Sequence, residues 1–139
     1  MATSTSTWTS VAYKNKQADL KFGLKSEADH LPQIRAKFGD DIIKTPEKFS
    51  VFDFASESCY IELKTRRNTY AQYPDTMVGL NKINFAKRNP DKKIVFAFCF
   101  TDGFYYHIFD PKKEYRVNKN GSTRVNEWGY YAYINISDL

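Results

Sequence analysis

Three residues in the middle of the chain have the types and spacing to do chemistry together. They are Asp53, in Phe52-Asp53-Phe54, and Glu62 and Lys64, in CYIELKTRR at residues 59 to 67. Glu62 and Lys64 are two apart, so on a β-strand both project from one side. Two carboxylates set to share one cation suit a hard divalent ion such as Mg²⁺, which takes oxygen ligands and keeps several waters. Such an ion lowers the pKa of a bound water and clamps a phosphate oxygen. A lysine beside it can orient or help deprotonate that water, or stabilise charge building on the phosphate. Phosphodiester hydrolysis needs that assembly. A bare Glu-x-Lys is more often a solvated ion pair worth under about 1 kcal/mol. Here Phe52, Phe54, Ile61 and Leu63 flank the charges and make the strands apolar enough to be central. A central strand rarely carries charges without a reason.

Two strands and a turn must position these groups. Residues 48–55 (KFSVFDFA) and 59–65 read as a hairpin around the polar segment Ala55-Ser56-Glu57-Ser58. A turn centred on Ser56-Glu57 makes Glu62 the diagonal neighbour of Asp53 on one face. Sliding the register by two sets them directly opposite, and a slip of one points Asp53 away. Before the hairpin, Leu24, Ala28, Leu31, Ile34 or Arg35, and Phe38 recur at helical steps, with Pro32 a kink or a distorted first turn and Gly39 a stop. Another strand fits between residues 40 and 50. After the hairpin, Asp75 reads as the cap of a helix running to about Arg88. Ile94–Phe100 is a strand buried on both faces, Asp102-Gly103 a tight turn, and Phe104–Phe109 its partner strand. Asn118–Gly121 reads as a turn and residues 128–136 as the last strand. The expected fold class is α/β, helices around a mixed sheet. Residues 1–12 read as a flexible tail and 13–139 as a single domain.

With that order in place, Asp53 followed by Glu62-Leu63-Lys64 resembles the signature of the PD-(D/E)XK nuclease superfamily, which includes restriction endonucleases and Holliday-junction resolvases. Phe52 stands where that family often has Pro. The resemblance implies a restriction-endonuclease-like αβββαβ core, here with C-terminal β-hairpin strands added. It also implies a Mg²⁺- or Mn²⁺-dependent endonuclease or phosphodiesterase acting on DNA. Asp53, Glu62 and the Leu63 carbonyl would then hold metal, and Lys64 would be the catalytic lysine. Glu27, in Lys25-Ser26-Glu27, matches the helical Glu many members carry and would bind metal directly, through water, or through a second ion. Its simpler role is an acidic residue favoured in a first helical turn. A longer pattern, SE at 26–27, FDF at 52–54, IELKTR at 61–66, YPDTM at 73–77, NK at 81–82 and TDGFYY at 101–106, resembles small nuclease-like proteins of large DNA viruses.

Further residues are candidates for DNA contact. Arg66 continues the Glu62/Lys64 alternation, and Arg67 follows it; a guanidinium there suits a phosphate. Lys82 sits on the second helix, where a basic residue can face the site or simply meet solvent. Tyr70 reads as a base-stacking group or a packed loop anchor. Lys112, Lys113, Arg116, Lys119 and Arg124 form a basic C-terminal group that could track a backbone.

Composition agrees with a nucleic-acid partner without demanding one. The 139 residues carry a formal net charge of +5, 42% hydrophobic and 17% aromatic residues. Cys59 and Cys99 lie among apolar neighbours and read as buried thiols in a reducing compartment. No Cys/His spacing suggests zinc. The N-terminus lacks the basic and apolar regions of a secretory signal, and no run reaches membrane-span length. The reading is a soluble intracellular protein, cytoplasmic or nuclear, in an infected host cell if its origin is viral, working in DNA repair or recombination. A domain this small has few surfaces for grasping DNA, so a homodimer is an expected partner by analogy. The alternative is a non-catalytic nucleic-acid-binding or assembly module that keeps the nuclease fold.

Overall fold

The most apolar run of the chain becomes the middle of a sheet. The computed structural model describes residues 4–46, 51–122 and 127–139, with side chains from residue 11 onward except that of Glu127. In chain order the elements are α1 (Ser4–Phe38), β1 (Ile43–Lys44), β2 (Phe54–Ala55), β3 (Cys59–Thr65), β4 (Asp75–Gly79), α2 (Leu80–Arg88), β5 (Lys93–Phe100), β6 (Gly103–Ile108), β7 (Arg116–Ser122) and β8 (Glu127–Asn135), ending in a 3₁₀ turn, Ile136–Asp138. β1-β2-β3-β5-β6 form a mixed five-stranded sheet, and β4-β8-β7 form an antiparallel three-stranded one. The molecule is thus mixed α/β. In β5 every residue after Lys93 is buried, as its unbroken apolar sequence requires.

The faces of the central sheet divide by parity. Ile94, Phe96 and Phe98 of β5 pack towards Ile83 of α2 and towards Val78 and Ile134 of the second sheet. Val95, Ala97 and Cys99 pack the other way, with Ile61 and Leu63, onto Ile34 of α1. β3 runs parallel to β5, with Glu62 beside Phe96 and Lys64 beside Phe98. The charged residues therefore emerge on the α2 side, at the C-terminal end of β3. Burying a residue such as Ile34 contributes about 1.5–3 kcal/mol. Both cysteines are free and buried, and burial pushes both thiols up, that of Cys99 to about 11.

Several expectations need correction. α1 begins at Ser4, far ahead of the expected Leu24, and runs through Pro32, which has no N–H to offer the Ala28 carbonyl. Helical spacing was legible only where Leu31, Ile34 and Phe38 pack on the sheet. The side chains of residues 1–10, where most of the expected tail falls, lie outside the described residues. Gly39 does end the helix, at φ 135°. Asp75 caps no helix. Asp75–Gly79 is strand β4, with Thr76 and Val78 buried in alternation, and it pairs with β8. Asn118–Gly121 is not a turn but the middle of β7, held by its full pairing to β8. Of the strand expected at 48–55, only Phe54–Ala55 is strand among the described residues, and residues 48–50 lie outside them. The strand expected between 40 and 50 is β1.

Candidate active site

The hairpin register brings the acids together, and a bulge aims one of them. Phe54 pairs with Ile61 and Ala55 with Tyr60, the register in which Asp53 on an unbulged strand would stand opposite Glu62. The turn centres on Glu57-Ser58, one residue beyond Ser56-Glu57, since the Ser56 N–H donates to the Cys59 carbonyl (2.8 Å). The Asp53 N–H also reaches the Ile61 carbonyl (3.1 Å), although Phe54 is the residue opposite Ile61. Asp53 is therefore the extra residue of a β-bulge, a device that redirects a side chain. The end of β1 anchors it: the Thr45 N–H donates to the Asp53 carbonyl (2.9 Å). The redirected carboxylate accepts the Leu63 N–H at Oδ2 (2.8 Å). N–H and C=O of one strand residue point to the same side, so the Leu63 carbonyl also leaves β3 towards Asp53.

Glu27 of α1 hydrogen-bonds Asp53 from one side and Glu62 does so from the other. Burial, then the charge of Glu62, raises the Asp53 carboxyl to about 6. Burial raises Glu27 too, helped by its hydrogen bond to Asp53 and opposed by Lys44. Crowded carboxylates that hold protons above their ordinary range are short of positive charge. Three lysines supply part of it. Lys44 Nζ lies 2.7 Å from Glu27. Glu62, only 4% exposed, lies 3.3 Å from Lys64 and 3.6 Å from Lys82 of α2. Lys82 also sits 5.4 Å above the Phe52 ring.

The group opens into a cleft of about 640 Å³ between the middle of α1 and the ends of β3 and β4. Glu27, Asp53, Leu63, Lys64, Arg66 and Arg67 all line it. Arg66 spends its guanidinium internally, donating to Thr76 Oγ1 (3.3 Å) and the Met77 carbonyl (2.7 Å); burial lowers its pKa. Arg67 is more open, lying 3.5 Å from Asp19 and 4.5 Å over the Phe22 ring, both on α1. Tyr70 is elsewhere. It stacks on Tyr105 at 4.1 Å and donates to the Ile136 carbonyl (2.8 Å), so it serves packing. Seven of the residues singled out in the sequence, Glu27, Asp53, Glu62, Leu63, Lys64, Arg66 and Lys82, thus meet around one cleft end.

Sequence reasoning missed Lys44, and it missed the clamp between Ser26 Oγ and Thr65 Oγ1 that ties α1 to β3 beside Glu27 and Lys64. It also missed Tyr131, which faces the cleft from β8. Lys44 had a faint signal in the Ile42-Ile43-Lys44 run before the hairpin. A serine–threonine pair 39 residues apart had none.

A hard cation needs oxygen ligands that it can reach together. Glu27 and Asp53 fit: burial pushes both carboxyls up, which a cation between them would relieve, and the Leu63 carbonyl is adjacent. Glu62 is turned to its two lysines, and among the described residues no group of three or more His, Cys, Asp or Glu side chains is arranged to hold a metal ion. Compared with protein-family models, with curated proteins and with solved structures, the chain matches none.

Proposed function

We propose that the protein is a metal-dependent nuclease of the PD-(D/E)XK type, with a restriction-endonuclease-like core, that hydrolyses DNA phosphodiester bonds. One observation carries the reading: the bulged Asp53 stands between Glu27 and Glu62 at the mouth of a cleft that Lys64 enters. Glu27, Asp53 and the Leu63 carbonyl would hold Mg²⁺ or Mn²⁺, with Glu62 joining after exchange of a lysine contact. When bound, the ion lowers the pKa of a water and offsets charge on a phosphate oxygen. The side chains do the rest. Lys64, 38% exposed and anchored by Glu62, orients the attacking water and stabilises charge at phosphorus. Lys82 keeps Glu62 in place, which keeps Lys64 in place. Arg67, exposed on the cleft wall, suits a flanking phosphate. Hydrolysis adds the water oxygen to phosphorus and releases the bridging oxygen, which takes up a proton.

A second reading has its own support. Glu27 and Glu62 are already paired with lysines, as in a module that binds nucleic acid without cutting it. One experiment separates the two. The protein is incubated with linear, nicked, single-stranded and branched DNA in Mg²⁺, Mn²⁺ or EDTA. The nuclease reading expects cleavage that needs metal and is lost in Glu62→Ala and Lys64→Ala. Cleavage surviving those changes would overturn the site, and metal-independent binding without cleavage would select the second reading.

A further inference from the structure

The carboxylates do not sit at the blind end of a pocket. A second open cleft, of about 500 Å³, lies on their other side and shares Leu20, Leu24, Glu27 and Asp53 with the first. Its other walls include Lys21 of α1, Lys44 and Thr45. The strand order β1-β2-β3 places Lys44 and Lys64 on opposite flanks of Asp53. The two clefts therefore form one groove beneath α1, with Glu27 and Asp53 midway and cationic side chains beyond them in both directions: Lys21 and Lys44 one way, Lys64 and Arg67 the other. Leu20 and Leu24, 52% and 41% exposed, form an apolar rail along the α1 wall, facing Tyr131 across the first cleft.

We infer that this groove holds one unpaired DNA strand running past the carboxylates on both sides, so that cleavage is internal and needs no strand end. The inference rests on the nuclease reading for its chemistry and on the groove alone for its geometry. A strand-end enzyme needs a wall beyond the scissile phosphate, and here that position opens onto a second cleft with Lys21 and Lys44 in its walls. Each half is the size of a site for one small ligand, about 300–1,000 Å³, which suits a nucleotide or two of single strand rather than a duplex. A strand of phosphates and bases matches a groove whose walls carry both lysine (Lys21, Lys44, Lys64) and leucine (Leu20, Leu24).

The test uses the full chain. Binding is measured in EDTA by fluorescence anisotropy on an oligothymidylate of about 16 nucleotides, with a closed single-stranded DNA circle and a blunt duplex as competitors. The circle is expected to compete as well as the linear strand, and the duplex at least about tenfold worse. Lys21→Ala and Arg67→Ala, exposed changes on opposite arms, should each weaken binding about threefold and each lower the salt slope by about 0.7. A circle that fails to compete, a preferred duplex, or either variant without effect overturns the inference. Adding Mn²⁺ then separates it from the reading beneath it. Opening of the circle supports both. A circle bound but never opened removes the nuclease and leaves the strand groove. Linear strands shortened from their ends beside an intact circle leave a nuclease and remove this inference.

Discussion

Asp53 is held in a form that costs the fold something. Its carboxyl titrates near 6 in the folded chain, against about 3.9 when unfolded. The folded state binds that proton more tightly, so the contribution of Asp53 to stability is full below about pH 4 and is lost as the pH rises through 6. In metal-free protein, Asp53→Asn should remove this slope and raise stability at pH 7 by about 1–2 kcal/mol, measured by urea denaturation across pH. The amide can still accept the Leu63 N–H, so the gain reports the charge, while metal-dependent cleavage should disappear. Lys82→Ala tests the opposite case. Glu62 would stay buried with one lysine instead of two, and stability should fall by about 1–2 kcal/mol at an unchanged m-value. An unaltered midpoint would mean that Lys64 alone neutralises Glu62.

At the scale of elements, the site depends on how firmly α1 is fixed to β3. The Ser26–Thr65 hydroxyl pair joins them between Glu27 and Lys64, and Ser26 Oγ also meets His30 Nδ1 at 3.2 Å. Removing one hydroxyl leaves its part-buried partner short of a bond, worth about 1 kcal/mol, whereas removing both costs less than the sum. Ser26→Ala, Thr65→Val and the double variant should therefore show a coupling of about 1 kcal/mol in thermal or urea unfolding. Additive losses would mean that the two residues act separately. On the proposed nuclease reading, the same comparison applied to cleavage should move with the coupling, since the clamp ties α1, which carries Glu27, to β3, which carries Lys64.

The whole molecule is a three-layer arrangement: α1, the five-stranded sheet, then α2 with the three-stranded sheet. Among the described residues no helix is long and apolar enough to cross a membrane. The groove lies where α1 outruns the sheet, so ligands there bridge layers and should stabilise the fold as a whole. Mg²⁺ or Mn²⁺ at about 100 times its dissociation constant should add about 2.7 kcal/mol, seen as a rise in Tm that Glu27→Gln and Asp53→Asn each abolish. An equal rise in those variants would place the ion elsewhere.

Much of this was legible in the chain itself because it is encoded locally. Alternation in CYIELKT put Glu62 and Lys64 on one side, the unbroken run at 94–100 marked the buried strand, and Gly39 marked the helix end. Hairpin parity put Asp53 on the face of Glu62. Pairing over long distances decided the rest. Asp75–Gly79 and Asn118–Gly121 look like a helix cap and a turn until β8 supplies a partner for each. The bulge at Asp53 exists because β1 and β3 both claim its backbone. Lys44, Ser26 and Tyr131 join the site through contacts that no spacing announces. Periodicity records which face of an element is buried, but only the assembled layers determine what it is buried against.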